Sequence, residues 1–116
     1  MTVEELVISY LLGLGFDAFA EVPSDRPAKS VEVRRTGGGS EMLPYVDEPV
    51  LSLDVRAPTR AEAASLMHEV DVAMLSMDER SDQVSSVERD SLYVEYEEGD
   101  GGHYQASYAL VSFLEG

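Results

Sequence analysis

SVEVRRTGGGSEMLPYVDEPVLSLDVRAP, residues 30–58, sets two runs of apolar side chains on either side of a glycine-bearing segment, and the rest of the chain is organised around it. Val31 and Val33 alternate with Glu32 and Arg34, the two-residue period of a half-buried strand. Gly37, Gly38 and Gly39 end that strand, because glycine loses the most entropy when held extended. After Pro49 the chain returns through Val50, Leu51, Leu53 and Val55, with Ser52 and Asp54 interleaved. Two strands joined by a long glycine-bearing tip predict a projecting β-hairpin arm, which is a contact device and not a site of chemistry.

At the N-terminal side of this stretch, Thr2 and Glu5 have capping-box spacing. Val3, Leu6, Val7, Tyr10, Leu11 and Leu14 follow at helical spacing, and Gly13 and Gly15 supply the stop. Ile8 and Leu12 fall off this stripe, so the helix has more apolar surface than one small sheet needs. Phe16 to Pro23 reads as a short strand, and Ser24-Asp25-Arg26-Pro27 as a turn. Beyond the arm, Thr59 and Glu62 repeat the capping box. Ala61, Ala63, Ala64, Leu66, Met67, Val70, Ala73, Met74 and Met77 then give a second helix to about Ser76, with Arg60, Glu62, Ser65, Glu69 and Asp71 on its polar face.

Residues 77–84 read as a polar connection, with a short strand possible from Val84 to Val87. A clearer strand runs from Ser91 to Glu97, with Leu92, Val94 and Tyr96 on one face, and Glu97 to Gly102 form a turn. His103 to Leu114 is the longest strand and carries apolar residues on both faces, which places it centrally. The expected fold is α+β, a mixed or antiparallel sheet of about 4–5 strands with two helices packed on it, in the order α-β-β-β-α-β-β. Residues 1–116 suit one domain.

Eight basic and 23 acidic residues give a formal net charge of −15. Such a surface opposes attachment to phosphate backbones and anionic membranes, so neither specific nucleic-acid binding nor membrane binding is expected. Cysteine is absent, which excludes disulfides and thiolate metal sites. No apolar stretch is long enough to span a bilayer, and no basic leader precedes the first apolar run, so a soluble cytosolic product is expected.

Candidate chemistry is sparse. Gly37-Gly38-Gly39 lacks the following helix and Lys-Ser or Lys-Thr of a phosphate cradle. Glu97-Glu98-Gly99-Asp100 and Asp78-Glu79 with Asp82 lack the alternating ligands of a calcium loop. His68 and His103 have no second histidine or cysteine at ligand spacing, and no nucleophile elbow is present. No cofactor, metal or catalysis is expected. Arg34 and Arg35 stand together at the root of the arm in a chain short of basic residues. Two roles fit them: pairing with Asp47, Glu48 or Asp54 of the same chain, or a charge-complementary contact with an acidic neighbouring copy. Met42, Leu43, Tyr45 and Val46 are large apolar side chains in the tip, suited either to another chain or to folding down on the sheet.

The order strand, Val33-Arg34-Arg35-Thr36-Gly37-Gly38, irregular tip, Glu48-Pro49-Val50-Leu51-Ser52-Leu53-Asp54-Val55, then Ala57-Pro58-Thr59-Arg60-Ala61-Glu62-Ala63 opening a helix, resembles the tail terminator (tail completion) proteins of long-tailed phages, most of all the type found in phages of actinobacteria. The resemblance runs from the first helix to the last strand. It implies a structural virion protein, assembled in the host cytoplasm, that forms a homo-hexameric ring on the head-proximal end of the tail tube. There it would end tube polymerisation and form the head–tail joining surface, with the tube protein and a head–tail connector protein as partners and DNA passing through the lumen. Ile8, Leu12, Arg34, Arg35, Met42, Leu43, Tyr45 and Val46 are the candidate ring or tube contacts. An acidic DNA-mimic inhibitor is the alternative, although the acids are scattered over every segment and not ranked along one surface. A small α+β enzyme is a further alternative that the fold class allows.

Overall fold

The computed structural model describes residues 2–21, 27–38, 46–90, 94–98 and 101–113. The chain is α+β, with two main helices packed on a mixed sheet. The elements are α1 (Val3–Gly13), β1 (Ala18–Phe19), β2 (Ser30–Gly38), β3 (Val46–Asp47), β4 (Pro49–Ala57), α2 (Arg60–Leu75), α3 (Met77–Arg80), β5 (Val84–Arg89), β6 (Val94–Glu98) and β7 (Gly101–Phe113).

Both predicted caps form. The Thr2 hydroxyl accepts from the Glu5 amide at 3.2 Å, and the Thr59 hydroxyl accepts from the Glu62 amide at 3.2 Å. Each satisfies one of the backbone donors that a helix start leaves unpaired. After α1 the backbone turns at Gly15, whose φ of 96° lies in the left-handed region that glycine tolerates.

The arm strands β2 and β4 pair antiparallel, from Ser30 opposite Arg56 to Gly38 opposite Pro49, with an irregularity between Arg35 and Gly37. β4 also pairs antiparallel with β7, Val50 opposite Ala109 and Ala57 opposite Gly102. β3 continues that ladder in the same register, Val46 opposite Phe113 and Asp47 opposite Ser112. On its other edge β7 pairs with β6 and then β5. The sheet therefore has five lanes: β1, parallel to β2; β2; β3 with β4; β7; and β5 with β6. β7 is central, as its two apolar faces predict.

One face of the sheet is the core face. Val31 and Val33 of β2, Leu51, Leu53 and Val55 of β4, and Ala106, Tyr108 and Leu110 of β7 are buried there against Val7 and Leu11 of α1 and Leu66, Met67, Val70, Ala73 and Met74 of α2. The Tyr10 hydroxyl donates to the Ala73 carbonyl at 2.6 Å, tying α1 to α2, and burial pushes this phenol above its ordinary pKa.

Several expectations are revised. The turn expected over Glu97 to Gly102 is paired strand at both ends, Glu97 opposite Gly102 and Glu98 opposite Gly101, and Ala61 of the expected α2 stripe is exposed. The strand expected from Phe16 to Pro23 is regular only at Ala18–Phe19, and residues 22 and 23 lie outside the described residues. The stretch after α2 contains α3, because fully buried Met77 anchors its first turn to the core. The short strand after it is longer than expected, reaching Arg89. Asp71 is on the buried side of α2 and not on its polar face: its carboxylate accepts from the Tyr108 hydroxyl at 2.8 Å and from Arg89 at 2.7 Å. A charge so buried is retained because it is paired and hydrogen-bonded.

Candidate functional site

Two surfaces outside the core carry the unusual groups. The first is the sheet face turned away from the helices. Arg34 donates to Asp54 at 3.0 Å and lies 3.5 Å from Glu32, and the second oxygen of Asp54 meets His103 Nε2 at 2.8 Å. Register explains the grouping: Glu32 is opposite Asp54, and Asp54 is opposite Gln105, on strands whose alternate residues face away from the core. Beside them Gln105 Nε2 donates to Ser52 Oγ at 2.8 Å. Asp54 and Ser52 are buried at the centre of this network. The hydrogen bond at the Ser52 hydroxyl comes from Gln105 and not from His103, so the pairing of His103 with Asp54 is not aligned with that hydroxyl as base and nucleophile. Among the described residues no group of three or more metal-ligating side chains is present.

Arg35, next along the strand, points the other way and closes the root of the arm. Its guanidinium donates to both oxygens of Asp47, at 2.7 and 2.9 Å, and to the carbonyls of Gly37 and Gly38. This bidentate pair holds the Asp47 carboxyl below the usual carboxylate range and raises Arg35 further. Both arginines thus pair within the chain, with Asp54 and Asp47, two of the three partners considered from the sequence.

The second surface is a cleft of about 530 Å³ between the end of α1, the start of β2 and one flank of α2. Leu14, Phe16, Val31, Leu66, Val72 and Ala73 form its apolar walls, and Lys29, Arg80, Asp17 and Glu69 its charged ones. The helices leave large apolar side chains in water: Val72 and Leu14, which line the cleft, are 52% and 41% exposed, and Leu12 and Leu75 of the same helices are 52% and 41% exposed. Ser30 also lines the cleft, and its buried Oγ has no hydrogen-bond partner.

The remaining predicted contact residues divide. Leu12 is spare apolar surface, as its position off the stripe implies, whereas Ile8 is half-buried against the core. Val46 is half-buried and pairs with Phe113, which is itself 50% exposed. Met42, Leu43 and Tyr45 lie outside the described residues. Sequence reasoning missed Lys29, Val72, Leu75, Arg80 and Phe113 as surface groups. Val72 and Leu75 did carry a signal, since they belong neither to the apolar stripe of α2 nor to its polar face. Compared with known proteins, the chain matches no family model and no curated protein.

Proposed function

We propose that this chain is a structural subunit of a phage tail: a tail terminator that closes into a homo-hexameric ring on the head-proximal end of the tube, stops its growth and presents a surface to the head–tail connector. The resemblance to that family, which runs from the first helix to the last strand, supplies the biological role. The observation that carries the assembly is the pair of separate apolar surfaces. One is on the helices, where exposed Leu14 and Val72 line the cleft and Leu12 and Leu75 are further exposed apolar side chains of α1 and α2. The other is Phe113, which pairs with Val46 beside the arm, at the end of the sheet away from Ser30. Unlike patches at opposite ends suit a heterologous, head-to-tail contact, the kind that closes into a ring when its rotation allows. The charge of −15 suits the same role, because a lumen that conducts DNA has to repel phosphate.

Light scattering across a range of concentrations, with negative-stain images of the chain alone and mixed with tail tubes, tests this reading. Rings in solution, or rings capping one end of the tubes, are expected. A chain that stays monomeric and leaves tube ends bare refutes the proposal.

A further inference from the structure

We infer that the cleft between α1 and α2 receives the tip of the hairpin, residues 39–45, from a second copy of this chain. The inference rests on the assembly reading above and names its contact.

Charge points to the cleft. Of the described basic side chains, Arg34, Arg35, Arg60 and Arg89 each pair with a carboxylate, and Arg56 has an interaction of its own. Lys29 and Arg80 are the two that form no ion pair, and both line the cleft. Asp17 and Glu69 line it too, so its walls sum to neutrality in a chain of −15. An acidic segment is therefore not repelled there and finds two cations unengaged.

The tip has the matching chemistry. Gly39-Ser40-Glu41-Met42-Leu43-Pro44-Tyr45 carries one carboxylate among three large apolar side chains. The cleft offers Leu14, Phe16 and Val72 beside Lys29 and Arg80. Its volume, about 530 Å³, falls in the roughly 300–1,000 Å³ range of ligand pockets, enough for a few side chains and too small for a folded domain.

Reach decides which copy supplies the tip. Lys29 and Ser30 stand at the far end of β2 from Gly38, and eight strand residues span about 26 Å. A chain that leaves at Gly38 and returns at Val46 has eight steps to go out and back, so it can project at most about 14 Å. A chain's own tip falls short of the Lys29 wall. A second copy has no such limit, and a tip-to-cleft contact is heterologous, propagating from copy to copy until the rotation closes.

The test uses a fluorescent synthetic peptide of residues 37–48, GGGSEMLPYVDE, titrated by anisotropy into the full chain held dilute. Lys29 and Arg80 are exposed, so Lys29→Glu and Arg80→Glu leave the fold intact, which far-UV circular dichroism verifies. Saturable binding is expected, weakened about tenfold by the double reversal and recovered when the peptide carries Glu41→Lys. Absence of binding, or binding that ignores the double reversal, overturns the inference. Light scattering separates it from the broader reading. Assembly that persists in the double reversal removes the docking contact and leaves the ring. Peptide binding with charge-swap recovery by a chain that associates only into open oligomers, with no ring alone or on tubes, supports the docking and removes the ring.

Discussion

Replacing Gly102 by alanine tests how closely α2 is seated on β7. A Cβ built at Gly102 lies 2.6 Å from the Ala63 Cβ, 2.6 Å from the Thr59 carbonyl oxygen and 2.8 Å from the Arg60 Cα. Carbon atoms in good contact stand about 3.5–4.0 Å apart, so roughly 1 Å of separation has to be found. Two of the three neighbours are main chain at the start of α2, where the Thr59 cap fixes the backbone, so the helix must lift and no side chain can simply rotate away. Overpacking of this kind costs about 1–3 kcal/mol, partly offset by about 0.4–1 kcal/mol because alanine leaves the unfolded chain fewer conformations. A net loss of about 1–2 kcal/mol follows. With an unfolding entropy near 2.1 cal/mol/K per residue, the Tm should fall by about 4–8 °C. Thermal and urea denaturation followed at 222 nm measure it, with an unchanged m-value showing that the native state is the same. Gly13→Ala is the control: nothing lies within 4 Å of its Cβ, so its Tm should hold or rise. A Gly102→Ala protein as stable as the parent would refute the close seating of α2.

The Arg35–Asp47 pair makes stability acid-sensitive. Asp47 titrates below its unfolded value of about 3.9, so its contribution is complete above that pH and is lost as pH falls through the folded value. Asp47→Asn should cost about 1 kcal/mol at pH 7, discounted for the part-exposed arginine, and flatten the fall in Tm below about pH 4. Tyr108→Phe removes the hydroxyl that meets Asp71 and should lower stability by about 1.5–3 kcal/mol in urea unfolding. Thr59→Ala removes the cap of α2, a loss of about 1 kcal/mol by the same assay. Leu12→Ser with Val72→Ser, both half in water, should leave the Tm within about 2 °C and weaken assembly measured by light scattering.

What was legible in the sequence was what is decided locally. The caps at Thr2 and Thr59, the 3.6-residue stripe of α2 and the alternation of β2 and β4 are set by neighbours a few positions away, and each took the predicted form. Asp71 was misread because a helix flank looks polar until Tyr108, 37 residues on, is folded over it. The cleft was invisible for the same reason: Lys29, Leu14 and Arg80 come from three separate segments, and no period or spacing links them. Arg35 lay between these cases. Its scarcity marked it and Asp47 was a considered partner, but only the ladder that carries Asp47 beside Ser112 brings the two together.

The position of β7 bears on how the chain comes off the ribosome. Synthesis runs from α1 onward, so the β2–β4 hairpin and both main helices emerge before β7, the interior strand that joins β4 to β5 and β6. Until residues 101–113 arrive, one flank of β4 has no strand beside it, and its open amides and carbonyls are a template for any extended chain nearby. A nascent chain paused before Gly101 is therefore the species most prone to aggregate, and shortening that pause protects the yield of folded subunits.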